Sequence, residues 1–533
     1  VTVSAAAGGS ATPTGVAGPP VSGAFTNTRE LLEAAAIVHS DRDAYVEQDG
    51  TRISFAQWAS HARRLAAHLS SRGIRKGDVV ALMLPSGIDY AICYAAIAVI
   101  GAITTGLNPR LGPRETESVL RRAEPVLVIR DSDAGLPPVP AGIAMMGRDE
   151  LAAAYASPAS QLPTVDIGRS DPVAIIFTSG TTGLPKGAWF DCDNLAASAS
   201  ASGIMSAPYD RRLSSTPFPH AGYMSKLWDQ LIWGTAVVIS PVPWSAAKMF
   251  AILQDERITV GGGVPTQWTK LLDEPGVSRD ALPHLRVGVV ATAPASPDLI
   301  ERTAGRLGVP LVVRYAMTES PTICGTEPSD SPEVQFRTVG KPQHGMSVRV
   351  TDDAGNALPV GEVGRVRVLG GCVMRGYWND QELSDNAFDA DGYLISGDLG
   401  KFTAAGDLTL VGRSGDLYIR GGFNVHPVEV EQVIAEHPLV KEAAVVGYPA
   451  PAIGEIGVAF VVPEDPSHPP TLDLLRTWTR KHLADYKAPD HLIVLDQLPL
   501  TAMSKIDRIR LREIAETHPP APRNSHGPQQ LRT

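Results

Sequence analysis

VVALML at 79–84, PVLVIR at 125–130, VAIIFT at 173–178, AVVIS at 236–240 and LRVGVV at 285–290 are short apolar runs rich in branched side chains. Between them lie stretches such as 56–71 and 297–307, in which apolar residues recur every three or four positions. The runs suit strands buried on both faces, and the second pattern suits helices with one buried stripe. Their alternation predicts an α/β fold, with a large N-terminal domain of parallel sheets and flanking helices. Tyr90 to Leu107 is uncharged over a length that could nominally span a bilayer. Its apolar content is mostly alanine, and Gly101, Gly106 and a Thr pair interrupt it. A buried helix followed by a short strand is expected there, and no transmembrane segment.

From about residue 334 the texture changes to short strands and turns, as in SVRVTDDAGNALPVGEVGRVRVLGG, which predicts an appended β-subdomain. After Arg413 come a helix at 427–436, the strands EAAVVGY and VAFVVPE, a helix at 471–484 and a terminal SKIDRIRLREI. These make a separate, small α+β domain. The expected layout is a disordered tail over 1–24, an N-terminal domain over 25–412, a mobile C-terminal domain over 413–516 and a disordered tail over 517–533. The first twenty residues are small and proline-rich, without the basic and apolar regions of a secretory signal.

A chain of 533 residues with 44% hydrophobic content can bury a large core in more than one domain. The net charge of −10 argues against a nucleic-acid partner, which would call for a basic face. Cys93, Cys192, Cys324 and Cys372 are scattered with no C-x-x-C pair, so neither a disulfide framework nor a zinc site is suggested, and a cytoplasmic location is expected.

Candidate chemistry starts at FTSGTTGLPKGA, Phe177 to Ala188, with three glycines, four hydroxyl side chains and one lysine in twelve residues. Backbone N–H groups converge where no Cβ intervenes, so such a loop suits a phosphate. It is not the Walker pattern, because Pro185 precedes Lys186 and Gly187 follows it.

Further motifs follow in order: PFPH at 217–220, YAMTE at 315–319, GYWN at 376–379, GYLISGDLG at 392–400, GRSGDLYIRGGFNVHPVEVE at 412–431 and TAMSKIDR at 501–508. With them the chain, over about 25–515, resembles the adenylate-forming enzymes, which include acyl-CoA synthetases, luciferases and the adenylation domains of peptide synthetases. The resemblance implies that a carboxylate attacks the α-phosphate of ATP to give an acyl-adenylate and pyrophosphate, after which a thiol displaces AMP. Thr178, Ser179, Gly180, Thr181, Thr182 and Lys186 would then hold the β- and γ-phosphates. Tyr315 would stack on adenine, Thr318 would bond a phosphate oxygen, and Glu319, with Thr178, would hold Mg²⁺. Asp398 would accept the ribose hydroxyls with Arg413 beside it, and Lys505 would donate to the carboxylate and α-phosphate oxygens. By the same resemblance, His220 and Gly222 would fall at the wall of the acid pocket.

Gly421, Gly422 and Phe423 lie in the segment that resembles CoA-using members, with CoA as the thiol. The chain departs from the family's pattern at Thr292, Ala316 and Ser504, and at the expected hinge, where Gly415 replaces a charged residue. GYMSKLW and GGGVPTQW suggest an uncharged pocket lining, which favours a hydrophobic, aliphatic or polycyclic acid over an amino acid. An acyl-CoA synthetase is the leading expectation, with room for a homodimer. Loading of a separate carrier protein and a non-catalytic ligand sensor are the alternatives.

Overall fold

The structure is a computed structural model and describes residues 2–4, 19–108, 111–131, 139–158, 162–178, 185–291, 297–421, 423–450, 453–501 and 506–519. Ser179, Gly180, Thr181, Thr182, Thr292, Gly422, Ser504 and Lys505 lie outside the described residues. So do 5–18 and 520–533, the greater part of the two expected tails. The chain divides into two compact units, one of Val1–Ser396 with Gly400–Leu410 and one of Gly397–Leu399 with Val411–Thr533.

In the first unit, five strands run parallel in the order Pro172–Phe177, Ile103–Gly106, Val79–Met83, Leu127–Arg130 and Ala144–Met146. Gly187–Asp191 and then Gly376–Tyr377 extend this sheet antiparallel, next to Pro172–Phe177. A nine-stranded sheet is parallel across Leu311–Met317, Val287–Ala291, Val260–Gly263, Arg211–Ser214, Ala236–Ile239 and Asp43–Val46. Its antiparallel edges are Ser320–Gly325 with Lys341–Pro342 on one side and Arg52–Ser54 on the other. All five residues of Val79–Met83 are buried, as expected of a strand covered on both faces.

The helices that cover these sheets follow from their apolar stripes. Phe55–Ser71 buries Phe55, Trp58, Ala59, Ala62, Leu65, Ala66 and Leu69. It starts in a reciprocal cap, with the Ser54 hydroxyl accepting from the Gln57 N–H and the Gln57 side chain accepting from the Ser54 N–H. The uncharged stretch forms the helix Ile88–Val99, buried at every position from Tyr90 onward, and then the strand Ile103–Gly106. Gly101, at φ 71°, turns the chain between them, a conformation that favours glycine. No helix among the described residues is long and apolar enough to cross a membrane.

Two expectations need correction. Within the segment expected to be a disordered tail, Thr2–Ser4 forms an edge strand antiparallel to Met346–Thr351, where an open row of backbone groups accepts it. The β-rich texture does not begin at 334: Pro332–Arg337 is a helix capped by the Ser331 hydroxyl, and the antiparallel pair is Met346–Thr351 with Gly364–Gly370.

The second unit is an α+β layer. Val440–Ala450 pairs antiparallel with Gly454–Pro463, which pairs parallel with His491–Val494. Tyr418–Arg420 and Phe423–Val425 form a hairpin beside them. Helices Pro427–Ala435, Leu472–His482 and Arg508–Thr517 contribute Val430, Ile434, Leu475, Leu511 and Ala515 to its two apolar clusters.

Candidate active site

The glycine- and hydroxyl-rich loop joins two antiparallel strands of the seven-stranded sheet. At its base the Thr178 N–H donates to Lys186 O at 2.9 Å, and the Lys186 N–H reaches Thr178 Oγ1 at 3.4 Å. Gly187 has a packing reason: a Cβ there would meet Ile175 at 2.8 Å and the Phe177 ring at 3.0 Å. Lys186 Nζ stands 5.5 Å from the centre of the Tyr377 ring, within reach of a cation–π contact. Tyr377 is there because Gly376–Tyr377 pairs with Gly187–Asp191 and the Trp378 N–H donates to Gly187 O at 2.7 Å.

The Tyr377 hydroxyl donates to Glu319 Oε1 at 2.9 Å. Burial, and secondarily the Glu319 carboxylate, push the phenol far above its ordinary pKa, so Tyr377 remains a donor at neutral pH. Glu319 and Thr318 are the two residues of the turn between Met317 and Ser320, which pair across the hairpin. The Met374 N–H fixes that turn from outside by donating to Glu319 O at 2.8 Å. Lys186, Tyr377 and Glu319, from three separate motifs, are thus gathered in one cluster. Tyr315 lies on the strand leading into the turn and is 8% exposed. A β-bulge between Tyr315 and Met317 leaves Ala316 exposed.

His220 precedes the short helix Ala221–Met224, and its Nε2 lies 3.2 Å from Asn108 Nδ2, so the ring nitrogen accepts from the amide. Gly106 lets this segment approach: a Cβ there would meet Pro219 Cα at 2.7 Å. The three glycines of GGGVPTQW have divided duties. Trp268 is fully buried and donates to Val289 O at 3.1 Å, and a Cβ on Gly261 would meet its indole at 3.1 Å. Gly262 instead would direct a Cβ toward Leu213 O and Ser215 Oγ, at 3.5 and 3.6 Å.

Beside Gly222 the structure places charged side chains. Gly222 and Tyr223 line a cavity together with Arg212 and Lys226. Lys226 belongs to GYMSKLW itself; burial lowers its pKa, and the Asp229 carboxylate raises it in part.

In the second unit, Arg413 Nε donates to Asp398 Oδ1 at 2.9 Å, with Asp398 nearly buried and Arg413 half-exposed. The Ser414 N–H and hydroxyl both donate to Gly397 O, at 3.0 and 3.2 Å. Gly415 has no left-handed φ, and no atom of the described residues lies within 4 Å of where its Cβ would be. This conformation therefore does not itself demand glycine there. Asp416 supplies charge one position later, facing Arg508 at 3.7 Å and Arg512 at 4.0 Å. Gly421, at φ 58°, occupies the turn between Arg420 and Phe423, and Phe423 stacks on Tyr486 at 4.6 Å while remaining 55% exposed.

Tyr377, Asn108 and Lys226 were not singled out by the sequence. GYWN carried a signal for the first, since its tyrosine belongs to an ordered motif. Asn108 and Lys226 carried none, because their partners are remote in the chain.

Among the described residues no group of three or more His, Cys, Asp and Glu is placed to hold a metal ion. Residues 32–378 match the family described as AMP-binding enzyme, and 429–505 match the AMP-binding enzyme C-terminal domain. A Mycobacterium tuberculosis CoA ligase named for a methyl-dioxo-octahydroindenyl propanoyl group is 33% identical, over 91% of this chain and 97% of its own length. Long-chain-fatty-acid–CoA ligase FadD13 of the same species is 31% identical over the same shares. Of solved structures, ATP-bound MatB from Rhodopseudomonas palustris superposes with a TM-score of 0.83 at 29% identity, covering 92% of this chain and 99% of that one.

Proposed function

This chain belongs to the AMP-binding enzyme family, and we propose on that premise that it converts a hydrophobic carboxylic acid, aliphatic or polycyclic, to its CoA thioester. It is an AMP-forming acyl-CoA synthetase that activates an acid with ATP and passes the acyl group to CoA. A carboxylate oxygen attacks the α-phosphorus, the bond to the bridging oxygen breaks, and pyrophosphate leaves. The CoA sulfur then attacks the acyl carbon and AMP departs.

The cluster of Lys186, Tyr377 and Glu319 is the observation that carries the assignment of roles. It brings together a cation, a fixed donor and a carboxylate, as expected where polyphosphate charge must be held. In this reading Thr178, Ser179, Gly180, Thr181, Thr182 and Lys186 take the β- and γ-phosphates, Thr318 bonds a phosphate oxygen and Tyr315 stacks on adenine. Asp398 takes the ribose hydroxyls, and its ion pair with Arg413 holds the carboxylate in place. Lys505 donates to the oxygens that gain charge at the α-phosphate. Gly421, Gly422 and Phe423 serve the pantetheine arm, and His220 forms part of the acid pocket, its ring oriented by Asn108. Gly415 is the pivot between the half-reactions, with the open space around it allowing rotation.

Mg²⁺ fits this donor set. A magnesium ion carried on phosphates takes only one or two carboxylates from the protein, and Tyr377 engages one oxygen of Glu319 and leaves the other. Thr178 would lie beside it. The ion would neutralise charge between the phosphates. Four buried, unpaired cysteines support a reducing, cytoplasmic setting.

Acid-dependent pyrophosphate release from ATP, followed by acyl-CoA on addition of free CoA, tests the reading across a panel of apolar acids. Acyl transfer to a carrier protein alone, or activity confined to amino acids, would overturn it.

A further inference from the structure

Strand Arg211–Ser214 lies between Ala236–Ile239 and Val260–Gly263, parallel to both. The chain goes from it to one neighbour and then crosses to the other side, which makes its carboxyl end a topological switch point. Beside that strand, on the face that carries Arg212 and Ser214, lies a cavity of about 30 Å³ lined also by Gly222, Tyr223, Lys226, Gln230 and Val237, the residue paired with Arg212. It has room for one or two water-sized groups, the tip of a ligand and not its body.

The polar groups around it do not balance. Asp229 is fully buried, and its carboxylate accepts from Ser202 at 2.6 Å, Ser206 at 2.7 Å and Arg212 at 2.9 Å. Gln230 is also engaged, donating to Ala44 O at 3.0 Å and accepting from the Tyr45 hydroxyl at 2.8 Å, which meets the Tyr223 hydroxyl at 2.8 Å. Lys226 Nζ, by contrast, has a single hydrogen bond among the described residues, at 3.5 Å to Ser198 O, out of three donors. Arg212 donates through Nη2 to Met205 O at 2.9 Å and Ser206 Oγ at 2.8 Å, but its buried Nε has no partner among the described residues. Two cations therefore share one carboxylate whose bonding is already taken up. Burial lowers the Lys226 pKa, Asp229 raises it in part, and Arg212 lowers it again. An acceptor arriving in the cavity would relieve this imbalance.

We propose that Lys226, backed by Arg212, is a specificity-determining residue that binds a second oxygen acceptor of the acid, a ketone or carboxylate distinct from the carboxyl that is activated. The inference rests on the reading of the chain as an acyl-CoA synthetase. The strongest electrostatic neighbours of Lys226 are Asp229, Arg212, Cys372 and Arg314, whereas the activated carboxyl belongs with the phosphates near Lys186 and Glu319. The substrate class is an acid with an apolar body and one inward-facing oxygen.

Three acids of one carbon skeleton test this: unsubstituted, bearing a remote ketone, and bearing a remote carboxylate. Acid-dependent pyrophosphate release gives kcat/KM for each, with the KM for ATP measured alongside. The wild-type protein should favour an oxygen-bearing acid, and Lys226→Met should cut that preference by about 10- to 100-fold, the worth of one hydrogen bond to a charged group. Lys226→Arg should keep part of it. A carboxylate favoured over a ketone identifies an anion site, and the reverse identifies a carbonyl site. Equal discrimination by wild type and Lys226→Met overturns the proposal and leaves the cavity to water. An equal loss on all three acids also overturns it. If Lys226→Met does not fold, the wild-type ranking decides, and preference for the unsubstituted acid is fatal. Absence of pyrophosphate release with every acid would defeat the synthetase reading itself, a result distinct from activity without discrimination.

Discussion

On the side of the first unit proposed to hold the phosphates, backbone pairing between neighbouring strands brings the side chains together. Thr318 and Glu319 fill a two-residue turn, and Tyr377 reaches Lys186 because its short strand pairs with the strand that leaves the loop. On the side proposed to receive the acid, Gly222, Lys226 and Gln230 follow one another along two short helices and the link between them, and Arg212 comes to them from a separate strand through side-chain packing. Phosphoryl chemistry is the same for every acid and tolerates little change in geometry, so backbone-fixed positions suit the groups proposed for it. Acid selection requires only that a cavity's shape and donors vary, and scattered side chains supply that variation without disturbing the sheet.

The sharpest division between the two sides should appear at Lys505, proposed for the phosphoryl step. Lys505→Ala should lower adenylation by at least ~10²–10³, the scale for one lost oxyanion donor. The loss should be equal for every acid, and thioester formation from supplied acyl-adenylate should survive. A loss that differs among acids would move Lys505 to the selective side.

Lys186→Ala comes next. Loss of one charge-assisted contact should cost about 1.5–3 kcal/mol, read as a rise in the KM for ATP with the ranking of acids unchanged. An unaltered KM for ATP would make the loop structural.

The two sides were unequally legible in the sequence, for the same reason that they differ in construction. Contiguous motifs exposed Thr318, Glu319 and Lys186, because residues fixed by backbone pairing keep their spacing. The apolar runs also placed the parallel strands, since a strand buried on both faces needs little beyond its own composition. Lys226 reads in sequence as one polar residue before a helix. Its confinement depends on Ser198 and Arg212, remote in the chain, as well as on Asp229 three positions on. The glycines near Trp268 carry a packing duty that no local pattern announced, since Gly261 seats an indole. Thr2–Ser4 escaped notice because an edge strand of three residues carries almost no periodicity.

Tyr377→Phe probes how the phosphate side is braced. The ring stays beneath Lys186 while the bond to Glu319 is lost, so Glu319 becomes free to turn. A cost of about 1.5 kcal/mol is expected, roughly tenfold, expressed as a higher Mg²⁺ requirement for pyrophosphate release. Unchanged Mg²⁺ dependence would separate Tyr377 from the metal and leave it a packing residue.

The smallest effect belongs to the acyl side and tests whether the two regions are independent. Gly222 lines the cavity near Lys226, and its φ is not left-handed, so alanine imposes no backbone strain. The added Cβ would stand 3.1 Å from Thr216 Cγ2 and 3.2 Å from its Oγ1, close enough that the Thr216 side chain must yield by a few tenths of an ångström. One methyl group in a pocket changes discrimination by about 1 kcal/mol at its weaker limit, and the adjustable Thr216 side chain should keep the effect near or below that figure. Gly222→Ala should therefore change kcat/KM a few-fold, by different factors for slender and bulky acids, through the KM for the acid. The KM for ATP and the Mg²⁺ requirement should not move, because the elements that carry Lys186, Tyr377 and Glu319 are fixed by their own strand pairing. If the KM for ATP shifted with that of the acid, the PFPH segment would be coupling the two sides, and the separation of fixed chemistry from adjustable selection would not hold.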